Sequence, residues 1–297
     1  MAPLTFIRCA ACTLCCAAGA ASALEGGVDT YGLGAEGTLA GALPPTGLYG
    51  IVYQNHYQAR RLADDSGHSA IPGFRLYADS VTPRLILMTD TTLAGGQLGY
   101  YALMPLVDLR VSVPGKSDSR TGKGDLLMAP LLAYHSGMFH WGYALEFVMP
   151  VGDYDRNRLA NIGRNYFSLR PIFGWSFHDP EGWDASTKMS LTFNRRNGDT
   201  DYRSGSYFAG DYNIGYRVRP HLRIGLEGYF LSQFSDDKLN GAVVSNDGNR
   251  AQVFGVGGGV QYEAPSGWSV EGKVVKDTSV RNRADGTSLW IRAAWRF

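Results

Sequence analysis

Beyond residue 16 the chain has no cysteine: Cys9, Cys12, Cys15 and Cys16 all lie near its start. Most of the chain therefore holds no disulfide and no thiolate metal site. Cys9-Ala-Ala-Cys12 matches a redox spacing only by coincidence, inside a stretch of small residues. Charge is missing from the same region, where Arg8 is the only charged side chain before Glu25. No apolar run reaches the roughly 20 residues that a membrane-spanning helix needs. Neither sign of charge dominates: Lys and Arg total 28 and Asp and Glu 27, so setting Arg8 aside leaves them equal. No basic stripe argues for a nucleic-acid partner, and no acidic tail argues for disorder. A helical period of any length is absent as well.

Arg8, the uncharged run from Cys9 to Ala20 and the small-residue site Ala21-Ser22-Ala23 form the three parts of a secretory signal peptide. Residues 1–23 are expected to be removed, with the cut after Ala23. Glycine, at 38 of 297 residues, exceeds the average of roughly 7%, and tyrosine is also frequent. Small residues with aromatics suit barrel strands, although a soluble periplasmic β-protein has the same composition. Residues 24–45 are rich in Gly, Ala and Pro, which makes them poor helix or strand material. They form either a plug inside a barrel or a periplasmic segment, and residues 46–297 form the barrel.

Period-2 alternation predicts about twelve strands, near 47–60, 74–90, 96–113, 124–134, 139–150, 166–178, 183–194, 204–218, 221–234, 250–264, 267–277 and 288–297. In the ninth, Leu222, Ile224, Leu226, Gly228 and Phe230 oppose Arg223, Gly225, Glu227 and Tyr229. In the last, Leu289, Ile291, Ala293, Trp295 and Phe297 oppose Ser288, Trp290, Arg292, Ala294 and Arg296. Alternate residues face opposite sides of a strand, so one side is apolar and the other polar. Lipid outside and a polar lumen inside require that split. The connections alternate between short and longer, more polar ones, as periplasmic turns and extracellular loops would. The fold class expected is all-β: a transmembrane antiparallel β-barrel of about twelve strands.

Aromatics at Tyr49, Tyr53, Trp141, Trp183, Trp268, Trp295 and Phe297 are expected to form interfacial girdles. Trp295 and Phe297 also resemble the C-terminal signal read by the barrel assembly machinery. Carried inward, the alternation puts Arg84, Asp108, Arg110, Glu146, Lys188, Asp211, Arg223, Glu227, Glu271, Lys273, Arg292 and Arg296 on the lumen face. Both signs occur, so cross-strand ion pairs are expected rather than a single-sign ion filter. Ile86, Met88, Tyr100, Met104, Leu106, Tyr207, Tyr229 and Trp290 add apolar lining. That lining either contacts a solute or fills a narrow barrel. Tyr100, Met104, Tyr207, Arg223, Glu227, Tyr229, Trp290 and Arg292 are the candidate path residues.

Gly152–Asn165 concentrates Asp153, Asp155, Asn157 and Asn161 among Arg156, Arg158 and Arg164. Oxygen-rich loops can hold calcium, but arginines at this density favour internal Asp–Arg pairing that folds the loop over the mouth. Asp153, Asp155, Arg156, Arg158 and Arg164 are the gate candidates. His135-Ser136 lies in a predicted periplasmic turn without an orienting partner, so no catalytic residue is assigned. No cofactor or metal motif is present.

Three stretches carry a family resemblance: Ala42-Leu-Pro-Pro-Thr-Gly-Leu-Tyr49, Gly152–Tyr166 and Asp199-Thr-Asp-Tyr-Arg-Ser-Gly205. They resemble the outer-membrane transporter family labelled as proteins of the meta-pathway of phenol degradation, from about Gly37 to the C-terminus. The resemblance implies an outer-membrane barrel associated with uptake of aromatic or otherwise apolar compounds. The partners expected are outer-membrane lipid, the assembly machinery and a small-molecule solute; the oligomeric state stays open. A general small-solute porin and a sealed structural barrel are the rival functions.

Overall fold

The structure, a computed structural model, describes Leu24, Glu25 and residues 29–297. The expected signal peptide lies outside the described residues. In chain order the strands are β1 (Gly47–Leu62), β2 (Arg75–Leu93), β3 (Gly96–Leu103), β4 (Leu106–Val113), β5 (Lys116–Lys123) and β6 (Leu126–Ser136). Next come β7 (Phe139–Met149), β8 (Ser168–His178), β9 (Trp183–Asn194), β10 (Tyr202–Arg203), β11 (Tyr207–Arg219) and β12 (Leu222–Gln233). The last are β13 (Lys238–Leu239), β14 (Ala242–Val243), β15 (Gln252–Glu263), β16 (Ser269–Arg281) and β17 (Ala284–Arg296).

Twelve of these close into an antiparallel barrel in the order β1-β17-β16-β15-β12-β11-β9-β8-β7-β6-β3-β2. β1 seals it by pairing with β17 on one side (Tyr53 opposite Arg292) and β2 on the other (Ile51 opposite Arg84). Closure leaves no unpaired edge, which lipid would penalise by several kcal/mol per bare backbone group.

β4 and β5 stand outside the ring. β2 pairs with β3 up to Arg84–Leu103, then with β4 from Val81–Leu106 onward. Met104-Pro105 interrupts what is otherwise one strand, since proline has no N–H for the ladder. β5 and β6 are interrupted opposite that point at Gly124-Asp125, where Gly124 N donates to Pro105 O at 2.7 Å. The connection read as a loop after the third strand is thus a hairpin, β4–β5, turning at Pro114-Gly115 beyond the rim. A second departure occurs at 278–287, where the expected longer loop shrinks to a two-residue turn, Asn282-Arg283. Asn282 holds φ at +52°, the left-handed region that such turns demand.

The turns Ala94-Gly95, Gly137-Met138 and Pro220-His221 share one end with the start of β1 and the end of β17. The long connections and the small β10–β13–β14 sheet occupy the other. In β12, Arg223, Glu227 and Tyr229 are buried while Ile224 and Leu226 stay 51% and 49% exposed. An apolar belt of this kind around the barrel is a lipid-facing surface, not one a soluble protein maintains.

Outward aromatics pair near both rims. At the turn end they include Trp183–Tyr216 (5.1 Å between centroids), Tyr262–Trp268 (5.6 Å) and Trp295–Phe297 (5.9 Å). At the long-loop end they include Phe208–Phe230 (5.1 Å) and Tyr212–Phe254 (5.6 Å). Tyr49 and Tyr53 do not join them. β1 turns its odd residues inward, so Tyr53 is buried against Glu36 and Tyr49 packs with Ile86 and Leu131 inside. Phe297 donates its N–H to Leu48 O at 3.0 Å, completing the β1–β17 seam. Deleting Phe297 is expected to lower the yield of assembled barrel several-fold while leaving the assembled molecules' conductance unchanged. Heat-modifiable migration on gels measures the first and planar bilayers the second.

Candidate functional site

The lumen is occupied by the chain's own N-terminal segment. Residues 29–46 run its whole length, and their polar groups are met by the barrel wall at each step. Near the long-loop end the Glu25 carboxylate accepts hydrogen bonds from Thr200 Oγ1 (2.6 Å), Asn197 Nδ2 (2.8 Å) and Tyr154 Oη (3.3 Å). Asp211 of β11 then accepts from Gly34 N (2.8 Å), Glu36 N (3.1 Å) and Tyr31 Oη (3.1 Å). Gly34 has φ +83°, and a Cβ there would lie 2.9 Å from Trp290 Nε1 and 3.0 Å from the Tyr229 ring. Only glycine fits both the backbone and the space.

Glu36 sits at mid-barrel. Its Oε1 accepts from Arg84 (2.7 Å), Tyr53 Oη (3.3 Å) and Lys188 (3.4 Å), and its Oε2 from Arg292 (3.4 Å). Lys273 Nζ donates to the Glu36 carbonyl at 2.6 Å. Glu36 thus meets cations from β2, β9 and β17 at its carboxylate and one from β16 at its carbonyl. Further along, Thr38 N donates to Glu271 (3.0 Å) and Gly41 N to Ser176 Oγ (2.8 Å). The segment leaves at Pro44-Pro45 beside the turn end, where β1 begins. Of the two placements open from sequence, the structure has the segment inside.

The wall is itself cross-linked by ion pairs between strands. Arg170 pairs with Glu146, Arg223 with Asp184 (3.2 Å), Arg292 with Glu271 (3.0 Å) and Lys273 with Glu227 (3.0 Å). The last pair reaches across β15, whose inward positions include Gly255, Gly257 and Gly259. A Cβ at Gly259 would lie 2.2 Å from Glu227 Oε1, and one at Gly255 would lie 2.7 Å from the Tyr229 ring. The bare strand lets Tyr229 of β12 hydrogen-bond to Asp277 of β16.

Of the candidate path residues, Tyr207, Arg223, Glu227, Tyr229, Trp290 and Arg292 face inward and are buried or nearly so. Tyr100 and Met104 do not. Tyr100 is 46% exposed on the lipid side, because the register pairs it with outward Leu87 and pairs its neighbour Tyr101 with inward Ile86. Tyr101 is the residue inside, donating to Glu146 at 2.8 Å. Met104 lies at the β3–β4 break, half-buried, between inward Leu103 and Pro105. Leu106 faces outward likewise, and Asp108 and Arg110 pair with each other at 2.5 Å on the exposed side of the hairpin.

The gate candidates are placed around the mouth without the internal Asp–Arg pairing expected of them. Arg158 pairs with Asp118 of β5 at 2.5 Å. Asp153 accepts from Lys123 N (3.0 Å) and Asp155 from Asn157 N (2.9 Å). Arg156 is exposed. Arg164 is buried and donates to the Glu25 carbonyl at 3.2 Å. Gly152–Tyr166 and Asp199–Gly205 therefore converge on the start of the segment, the first through Tyr154 and Arg164, the second through Thr200 and Ser204. Among the described residues no group of three His, Cys, Asp or Glu side chains is placed to hold a metal. His135 and Ser136 lie at the turn end, where His135 shares a hydrogen bond with His140 (2.8 Å).

Sequence reasoning missed Glu36, Tyr31, Tyr53, Tyr101 and Arg170. For Glu36 a signal existed: it is the lone charge in the Gly/Ala-rich run from Gly32 to Leu43.

The segment does not fill the barrel. A cavity of about 300 Å³ lies toward the long-loop end, walled by Tyr53, Leu76, Val107, Leu109, Leu127 and Trp290 among others. A second, of about 290 Å³, lies toward the turn end beside Leu43, Tyr49, Ile86, Tyr101, Leu131 and Ile172. Glu36, Arg84 and Lys188 border both, so the two chambers meet at the mid-barrel charge cluster. Below it, Gly41 presses on the wall: a Cβ would sit 2.4 Å from the Trp175 backbone. Gly41→Ala is expected to dislodge the lower segment and raise the open probability in planar bilayers without altering any charge; an unchanged closed state would contradict that contact.

The family described as "Putative MetA-pathway of phenol degradation" matches residues 59–293. Comparison with curated protein sequences gave no match. Among solved structures, an outer-membrane channel from Pseudomonas putida F1 is similar over 87% of this chain and 98% of its own, at 19% identity and TM-score 0.74. The β domain of the Bordetella autotransporter BrkA covers 86% of this chain and 100% of its own, at 11% identity and TM-score 0.49. The first likeness gives the fold, a closed antiparallel β-barrel; barrels of the outer membrane turn their long loops to the outside and their short turns to the periplasm.

Proposed function

Since the chain belongs to the family described as "Putative MetA-pathway of phenol degradation", we propose that it is an outer-membrane channel for passive uptake of small apolar or aromatic compounds, closed at rest by its own N-terminal segment. The observation that carries this reading is the pair of chambers joined at Glu36. A barrel built only as scaffold has no reason to keep two cavities in line and part them with a single acidic side chain. Aliphatic and aromatic side chains make up half of the extracellular chamber's lining, beside cations such as Arg84, Arg164, Arg170 and Lys188. Burying apolar surface there stabilises a solute by roughly 25 cal/mol per Å². A cavity of roughly 150 Å³ holds a benzene ring, so each chamber accepts a substituted ring. Passage requires the Glu36 contacts with Arg84, Lys188 and Arg292 to yield, by displacement of the segment or by its retreat toward one end.

Liposome swelling with purified protein tests this, comparing small sugars with phenol- and benzoate-like solutes. Apolar solutes cross lipid unaided, so protein-free liposomes accompany every solute. Faster entry of the aromatic set over that baseline is expected. Entry ordered by size alone would make the protein a general porin, and no entry of either set would make it a sealed barrel. In the same assay, widening the extracellular chamber with Leu109→Ala is expected to change the rates for aromatic solutes and not for sugars.

A further inference from the structure

Leu24 is the residue that becomes the N-terminus if the signal peptide is cut after Ala23, and it sits in the structure like a bound ligand. Its side chain is 2% exposed, packed in a cluster with Ala63, Tyr207, Val253 and Val280. Its nitrogen donates to Asp237 Oδ2 at 2.8 Å, across 213 residues of sequence. Asp237 is fully buried. Its Oδ1 accepts from Gly205 N and Gln233 Nε2, both at 2.7 Å, and its Oδ2 also from Tyr202 Oη (2.5 Å) and Asn249 Nδ2 (3.1 Å). Every one of those donors is neutral, and among the described residues no lysine or arginine forms an ion pair with Asp237.

A buried carboxylate surrounded by neutral donors and lacking a counter-charge is an unfavourable arrangement. Burial accordingly pushes the Asp237 carboxyl above its ordinary range, with the hydrogen bonds opposing. Among the described residues, the atom held against it that can acquire a positive charge is the Leu24 nitrogen.

We propose that Asp237 is a receptor site for the α-ammonium group formed at Leu24 when the leader is removed, so that processing itself locks the extracellular end of the plug. The proposal rests on the expected cleavage after Ala23. Hydrolysis of the Ala23–Leu24 peptide bond by an export-side peptidase consumes one water, leaves a carboxylate on Ala23 and frees the Leu24 amine, which takes up a proton at neutral pH. A peptide N–H offers Asp237 one hydrogen and no charge; the ammonium offers three and a full charge. The apolar seat around the Leu24 side chain and the carboxylate at its nitrogen together recognise a free N-terminal residue of leucine-like shape. A chain cut one residue earlier or later presents its charge elsewhere and leaves Asp237 unpaired.

The mass of the purified outer-membrane protein comes first and is expected to correspond to a chain starting at Leu24. A different start overturns both the cleavage reading and the proposal. Because the processed chain has no cysteine, Ala35→Cys supplies a single thiol whose rate of maleimide labelling reports release of the segment. Four proteins carry it: the parent, Asp237→Asn, a glycine inserted between Ala23 and Leu24, and the two changes together. Each single change is expected to speed labelling on the order of 100-fold, as loss of one partner of a buried ion pair does. The combination should be no faster than either alone. A start at Leu24 with additive effects, or an insertion that leaves the rate unchanged, overturns the ion pair while sparing the cleavage reading. Should Asp237→Asn fail to assemble, the insertion alone, which leaves Asp237 in place, decides the outcome.

Discussion

Replacing Glu36 with glutamine is expected to shift the barrel from closed to open. The change keeps the shape of the side chain and removes the charge that faces Arg84, Lys188 and Arg292. In the closed state those cations then share a buried space without the plug's carboxylate, whereas in an open lumen bulk water reaches them. Neutralising one partner of a buried ion pair costs about 3–5 kcal/mol, and every 1.4 kcal/mol is tenfold in an equilibrium constant. The ratio of closed to open molecules should therefore fall on the order of 100-fold or more. Single-channel recording reads this as a rise in open probability at unaltered unit conductance. Glu36→Asp keeps the charge and should recover most of the closed state. If Glu36→Gln stays closed as firmly as the parent, the charge cluster is not what holds the plug.

Arg170→Met should lower the stability of the barrel. Arg170 and Glu146 are each 2% exposed and paired across β8 and β7. Arg170 also donates to Thr30 Oγ1 (2.6 Å) and Thr192 Oγ1 (2.9 Å). Losing the guanidinium leaves Glu146 with only the Tyr101 hydroxyl among these partners, an uncompensated buried charge worth about 3–5 kcal/mol of destabilisation. Urea unfolding in vesicles measures it. The double change Arg170→Met with Glu146→Leu should restore most of the loss, because an apolar pair of similar volume replaces the ionic one. A double variant as weak as the single would place the loss in the Thr30 and Thr192 contacts instead.

The barrel was legible because its two faces obey opposite chemistries. Ile224 and Leu226 against Arg223 and Glu227 announce lipid on one side and a polar lumen on the other, and the period of two does the rest. Legibility ends where that contrast does. Lys116–Lys123 is polar on both faces, since the β4–β5 hairpin projects past the membrane, and no alternation marks it as a strand. Tyr100 and Tyr101 are identical neighbours, so composition cannot choose between them and a one-residue slip exchanges lipid for lumen. Tyr49 and Tyr53 carry the residue type of a girdle but the parity of the inner face. The plug was hidden for a different reason. Its Gly, Ala and Pro residues form no periodic element, and its burial depends on Asp211, Arg84 and Arg292 from strands distant in sequence. What the alternation did show was a lumen face with both signs of charge, and these are the groups that hold Glu36.

The segment's course also constrains the order of assembly. It begins at the extracellular mouth near Glu25 and ends at the periplasmic rim, where the chain passes directly into β1. β1 is also the strand that meets β17 to shut the ring. Threading Glu36 lengthwise through a finished, ion-paired interior would mean breaking each contact of the lumen in turn. The geometry instead favours laying the segment against β11, β12 and β16 while the ring is still an open curved sheet, and zipping β1 to β17 over it last. The seam between the first and last strands is then a one-way door: once it shuts, the leading end of the polypeptide has been carried across the membrane inside a structure it helped to shape.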